Sequence, residues 1–386
     1  MLSEKNVALL ACVVACVGCT NTVGLGSAED GGVAAMDSAI DMGDAASGDA
    51  TSGDASRSFE FIEISESALT NVSALDYAVG PGDVHHFIYV KASDLRYTRW
   101  DESGAHDELV RSDVGLLEQV SMVLDASGNP HVALVDQNRT LLYATKSGAA
   151  WGIEPATSVG EALPSSGASI AVRSDGAEVV TFRMNATHEA ALATRFNFGD
   201  TWELRPLGDA ASPSPQVPVL EFDAVSDLHV GSLSANGQEL RHQRFDLLTE
   251  PFAWNSVTTI SDPFEVALSV SSTGDPFFFV KAEVSALESM LSVFKYSSGE
   301  WELSTFPTAG PTLCTGFDME RAPSGGVGLT WSQEEFWYAE QDPSIDRVVV
   351  AHPVSPATTI RLHYDAAGRP RIAYLEGGIV HLVGTF

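Results

Sequence analysis

Basic residues are scarce in this 386-residue chain: 21 Lys and Arg stand against 52 Asp and Glu, a formal net charge of −31. Nucleic acids and anionic membrane surfaces are held by clustered Lys and Arg, and no such cluster occurs, so no nucleic-acid partner is expected. Cysteine is almost confined to the N-terminus, with Cys12, Cys16 and Cys19 near the start and only Cys314 in the body. A single thiol closes no intrachain disulfide, so packing must carry the stability. Cys314 itself, in Leu313-Cys314-Thr315, reads as a small core hydrophobe. The longest apolar run, Val7 to Val17, is too short to cross a bilayer. No Walker loop, dinucleotide Gly-rich fingerprint, His-Glu-x-x-His or Gly-x-Ser-x-Gly is present. The sequence thus carries no catalytic signature, and neither a cofactor nor a metal site is expected.

What it does carry is repetition. Asp125 to Trp151 reads as one four-stranded antiparallel unit. Val120, Met122 and Leu124 alternate, Asp125 to Pro130 turns, and His131 to Val135 forms a second strand. Leu141 to Thr145 forms a third, and Trp151 opens a fourth. The first turn recurs at Gly82, Gly128, Gly176, Ser226, Gly274, Gly325 and Gly368, spaced by about 48 residues. The third strand recurs as Leu95-Arg-Tyr97, Leu141-Leu-Tyr143, Ala190-Ala-Leu192, Leu240-Arg-His242, Leu291-Ser-Val293, Phe336-Trp-Tyr338 and Val380-His-Leu382. The fourth-strand tryptophan returns as Trp202, Trp254 and Trp301. Such a unit cannot bury both faces alone, so neighbours must stack. The seventh copy ends after three strands, and Ser58 to Ser65 supplies a candidate fourth. Pairing of the two chain ends would close a ring and remove two sheet edges. The expectation is an all-β, seven-bladed β-propeller spanning residues 58–386, monomeric, with an N-terminal strand completing the last blade.

The repeats Gly128-Asn-Pro-His131-Val and Gly368-Arg-Pro-Arg371-Ile, with Leu141-Leu-Tyr143 and the recurring Trp, resemble those of bacterial propellers in the broad sialidase-like (BNR) group. The group's Asp-box, Ser-x-Asp-x-Gly-x-Thr-Trp, has an altered counterpart in Asn197-Phe-Gly199-Asp-Thr201-Trp202. The Phe/Tyr-Arg-Ile-Pro motif that opens a sialidase site has no counterpart. The resemblance implies an architecture and no particular activity.

Residues 1–19 read as a lipoprotein signal peptide. Val13-Val14-Ala15-Cys16 and Val17-Gly18-Cys19 both approximate a lipobox, with Cys19 favoured for lipidation because cleavage there leaves no second thiol. Several acyl chains, at about 0.8 kcal/mol per buried methylene, hold a protein at a membrane durably. Neither cysteine is followed by Asp, so a bacterial outer-membrane anchor is expected. Residues 20–57 are rich in Gly, Ala, Ser and Asp and read as a disordered acidic linker. Two basic and eight acidic residues precede Ser58, leaving 19 against 44 in the propeller, a net of −25.

His85, His131 and His229 each follow a turn anchor by three residues. Their spread over separate blades suggests a packing position rather than a metal centre. Loops after each second strand share one face of a propeller, and that face commonly carries function. Here it would present Arg139, Arg183, His188 and Glu334, with Trp337 able to stack on a sugar ring. Three readings follow. The first is a lipid-anchored binding or scaffold propeller with an envelope protein or carbohydrate as partner. The second is an envelope glycoside hydrolase or lyase using the axial pocket, and the third a structural subunit of an envelope assembly. Converging carboxylates and arginines in the axial pocket would favour the second over the first.

Overall fold

The computed structural model describes residues 60–62 and, apart from loop segments, 69–384. The expected signal peptide with Cys16 and Cys19, the expected linker over 20–57, Trp254 and Glu334 lie outside the described residues, as do 63–68, 208–216, 246–254, 306–313 and 352–358. What is described is all β: seven four-stranded antiparallel sheets, six of them simple meanders in chain order. Blade one runs through Val72–Gly80, Val84–Lys91, Asp94–Asp101 and Gly104–Arg111. The first strands of blades two to seven are Ser121–Leu124, Ser169–Val172, Val219–Phe222, Pro263–Val270, Gly316–Arg321 and Thr359–Tyr364. Each first strand lies against the first strands of both adjoining blades, including blade seven against blade one, so these strands form the inner ring.

The seventh blade is closed as the sequence implies. Glu60–Ile62 pairs antiparallel with Ile379–Gly384 in the register Glu60↔Gly384, Phe61↔Val383 and Ile62↔Leu382. This order, N-terminal strand outermost and Thr359–Tyr364 innermost, joins the two ends of the chain within one sheet.

The core is divided as a ring of stacked sheets requires. Seven buried apolar clusters lie one between each pair of neighbouring blades, from Ile88, Val90, Val132 and Leu134 between blades one and two round to Tyr77, Phe87, Ala373 and Leu382 between seven and one. The repeated sequence positions account for them. Each described fourth-strand tryptophan packs on the third-strand residue of the preceding blade: Trp151 on Tyr97 at 5.2 Å, Trp202 on Tyr143 at 5.3 Å, Trp301 on His242 at 5.5 Å. The first turn owes its shape to an aspartate. In blade two, the Ser127 and Asn129 N–H groups each donate to Asp125 Oδ1 at 2.8 Å, and Gly128 takes φ +79°. Asp223 and Asp365 repeat the arrangement in blades four and seven.

Blade one departs from the pattern in a way that corrects the histidine alignment. Its first hairpin has the same length but pairs one step further, with Gly80 opposite Val84 beyond the Val79–His85 pair that matches Leu124–Pro130, and its turn glycine Gly82 sits one residue earlier than Gly128 does. The residue equivalent to His131 is therefore His86, not His85: Ala78 faces His86 as Val123 faces His131. The bonding agrees. His86 Nδ1 and Tyr97 Oη share a hydrogen bond of 2.6 Å, as do His131 Nδ1 and Tyr143 Oη. His229 is buried against His242 at 3.1 Å within blade four, and His85 bonds Tyr77 at 2.7 Å. Among the described residues no group of three His, Cys, Asp or Glu could hold a metal ion. Cys314 is fully buried between blades five and six, and burial pushes its thiol up to about 12.

Candidate functional site: the axial channel

An innermost strand is a sheet edge, so alternate backbone groups and alternate side chains face the axis. Counting back from the last residue of each first strand, with Val79 as the blade-one equivalent, three positions point inward as three layers. The layer nearest the strand starts holds Gln119, Val217, Glu265, Gly316 and Thr359 on blades two and four to seven. The middle layer is Asp76, Ser121, Ser169, Val219, Ala267, Asp318 and Arg361, one from each blade. The layer nearest the first turns includes Val123, Ala171, Glu221, Glu320 and His363, with Arg321 beside it. Together they line a cavity of about 610 Å³.

Part of this polar lining is structural. The Met122 N–H of blade two donates to Asp76 of blade one at 2.6 Å, and the Leu362 N–H of blade seven donates to Asp318 of blade six at 2.8 Å. Glu221 accepts the Val270 N–H at 3.0 Å, and Ser121 Oγ accepts that of Ile170 at 3.3 Å. Each side chain thus satisfies an edge donor on the next blade. A buried amide left without an acceptor costs about 1–3 kcal/mol. Arg361 donates to Asp76, carrying the chain of contacts from blade seven to blade one.

The remaining capacity faces the channel. Glu265 and Glu320 keep 41% and 39% of their side-chain area open to its water, with Lys281 Nζ 3.8 Å from Glu265 and His363 Nδ1 3.9 Å from Glu320. Burial inside the ring pushes Glu221 up to about 7, opposed by Arg321 and the Val270 N–H, and pushes Asp318 up to about 6, opposed chiefly by Arg361. Glu320 is held well above the usual carboxylate range by burial and by the charges of Glu221 and Asp318. Burial holds His363 down at about 4, so it is a neutral ring at physiological pH. The channel therefore sets carboxyls whose affinity for a proton is raised beside a carboxylate paired to arginine, the raw material of both ligand recognition and acid–base chemistry.

The loop-face residues proposed from the sequence are placed as follows. Arg139 is exposed in the turn after the second strand of blade two, with φ +62°, and its carbonyl accepts the Ala162 N–H at 2.9 Å. Arg183 is only 1% exposed; its Nη1 donates to the His188 carbonyl at 3.1 Å, and its own carbonyl accepts the Leu163 N–H at 2.8 Å. His188 is exposed at φ +58°. The connection through Ala162 and Leu163 thus ties Arg139 to Arg183 and His188 on one face. Trp337 is half-buried on blade six and stacks at 6.2 Å on Trp331, which is buried against Phe279. The channel acids and Arg361 lie on first strands, outside the loops that the sequence singles out. Their signal was the alternation of acids within otherwise apolar first strands, as in Val219-Leu-Glu221-Phe and Gly316-Phe-Asp318-Met-Glu320.

No protein-family model and no curated protein matches the chain. Among solved structures, it is similar to the BP39L lectin from Burkholderia pseudomallei (12% identity over 81% of this chain and 97% of that one, TM-score 0.57). It is also similar to the polysaccharide lyase Uly1 (10% identity, 81% and 89% covered, TM-score 0.51) and to YCF48 bound to D1 peptide (14% identity, 85% and 96% covered, TM-score 0.52). At these identities the likeness is one of fold.

Proposed function

We propose that this protein is a carbohydrate-binding propeller held at the bacterial outer membrane by lipidation of Cys19 or, failing that, Cys16, with the axial channel as its site. The observation that carries the reading is the channel itself. Its volume of about 610 Å³ falls within the roughly 300–1,000 Å³ of small-molecule pockets, and its three rings are mostly polar. Hydroxyls and amides on Ser121, Ser169 and Gln119 line one side, and acids and arginines the other. That lectins share the fold is consistent with a sugar ligand. A glycan array probed with the full chain, compared with Glu320→Gln and Ser169→Ala chains, tests it. Binding that is lost in both variants supports the channel, and binding untouched by either refutes it. Globomycin-sensitive processing and release of the Cys19→Ala or Cys16→Ala chain from membranes test the anchor.

A second reading, an envelope glycoside hydrolase or lyase, is favoured by one specific observation. Burial and the charges of Glu221 and Asp318 raise Glu320 well above the usual carboxylate range in a channel where Asp76 is ion-paired to Arg361, so two carboxyls stand in unlike environments. Turnover of envelope polysaccharide by the full chain, abolished by Glu320→Gln, would decide for it.

A further inference from the structure

The charge in the channel is distributed unevenly, and the unevenness specifies a ligand. Blades two and three contribute only Gln119, Ser121, Met122, Val123, Ser169, Ile170, Ala171 and Val172, none of them charged. Every ionisable lining group stands on blades one and four to seven: five carboxyls, two arginines and His363. Arg361 is engaged with Asp76 and lies in the field of Asp318. Arg321 faces two carboxyls, Glu221 and Glu320, which occupy the same layer on blades four and six. One negative charge in that layer therefore has no counter-charge among the described residues when both are ionised.

We infer that the channel selects a sugar bearing a free ammonium group, seated with its nitrogen toward Glu221 and Glu320 and its hydroxyls toward Ser121, Ser169 and Gln119. This rests on the axial-channel reading above and narrows it to amino sugars. A bare divalent ion fits less well, because no three of the described carboxylates converge on one point. The net charge of −25 on residues 58–386 repels uronic and sialic acids and draws cations toward the mouth. The neutral wall supplies donors and acceptors for hydroxyl groups without a charge to desolvate.

Binding of an ammonium group must ionise the layer it meets. The groups facing Glu221 and Glu320 are Arg321, Asp318 and Asp76, with neutral His363 beside Glu320. The excess negative charge is the part that titrates. Binding at pH 6 is therefore accompanied by proton release, and it weakens as the pH falls toward 4.

The test is titration calorimetry on the full chain with chitobiose, the free diamine, against N,N′-diacetylchitobiose, in two buffers of different ionisation enthalpy. The expected result is at least a tenfold preference for the amine, with a buffer-dependent heat that reports proton release. Glu320→Gln and Glu221→Gln, both near-isosteric, should each weaken binding of the amine and reduce the preference to within about threefold. Equal affinity for the two sugars overturns the inference and leaves the channel reading intact. Binding of neither sugar, with a different glycan still blocked by Ser169→Ala, does the same. Binding of neither, with no glycan sensitive to any channel substitution, overturns both.

Discussion

Replacing Glu221 by Gln removes a carboxyl whose affinity for a proton the fold raises, and the size of its effect on stability depends on pH. Burial within the inner ring pushes Glu221 from 4.5 up to about 7. A carboxyl raised in the folded state favours that state fully below its unfolded value. The advantage is lost as the pH climbs from about 4.5 through 7, because the folded chain must then ionise the group inside the ring. The whole interval corresponds to about 3 kcal/mol. Channel water reaches the side chain, which reduces the figure to about 1–2 kcal/mol. Glutamine retains an oxygen to accept the Val270 N–H and has no charge to carry. Its presence also relieves Glu320, which Glu221 repels. For about 325 propeller residues the entropy of unfolding is about 0.7 kcal/mol/K, so Glu221→Gln should raise Tm by about 2–3 °C at pH 8 and leave it unchanged at pH 4.5. Calorimetric melts across that range are the assay. An equal shift at both pH values, or a loss at pH 8, would refute the assignment of a proton to this carboxyl.

Three further outcomes follow from other parts of the ring. An alanine Cβ at Gly328 would lie 1.9 Å from Tyr364 Oη across the interface of blades six and seven, so Gly328→Ala should cost about 1–3 kcal/mol in urea unfolding. Arg195 is fully buried, bonded to Glu178 at 2.6 Å and over the rings of Tyr143 and Trp202 at 4.6 Å each. Arg195→Met should destabilise by about 3 kcal/mol, and adding Glu178→Gln should restore part of it in the same melt. Deleting Glu60–Ile62 uncovers the edge of Ile379–Gly384 and should shift the chain toward higher-order species in size-exclusion chromatography.

The architecture was legible because its signals are local and repeat. The turn aspartates and glycines, the third-strand aromatics and the fourth-strand tryptophans each do one job in several blades, so weak copies reinforce one another. The ring closure was legible from a shortage, a last copy with three strands. A count from the turn glycines fails in blade one: Gly82 sits one residue earlier in its hairpin than Gly128 does, so three places on lies His85, although the pairing places His86 in the shared position. The channel was hidden for a different reason. Asp76, Glu221, Asp318 and Arg361 sit on different blades, far apart in sequence, and no spacing links them. Only the geometry that sets Val79, Leu124, Phe222, Arg321 and Tyr364 level with one another brings their neighbours into common layers. In hindsight, the appearance of a charged residue one or three places before the end of an otherwise apolar first strand was the available clue.

Where a ligand protects the protein from exchange tests the axial site most directly. Hydrogen exchange of the full chain with and without saturating chitobiose should slow at the first strands, over 119–123, 169–172, 219–222, 316–321 and 359–363, and leave 136–139 and 183–189 unchanged. Protection confined to the segments around Arg139, Arg183 and His188, with the first strands exchanging as before, would contradict it.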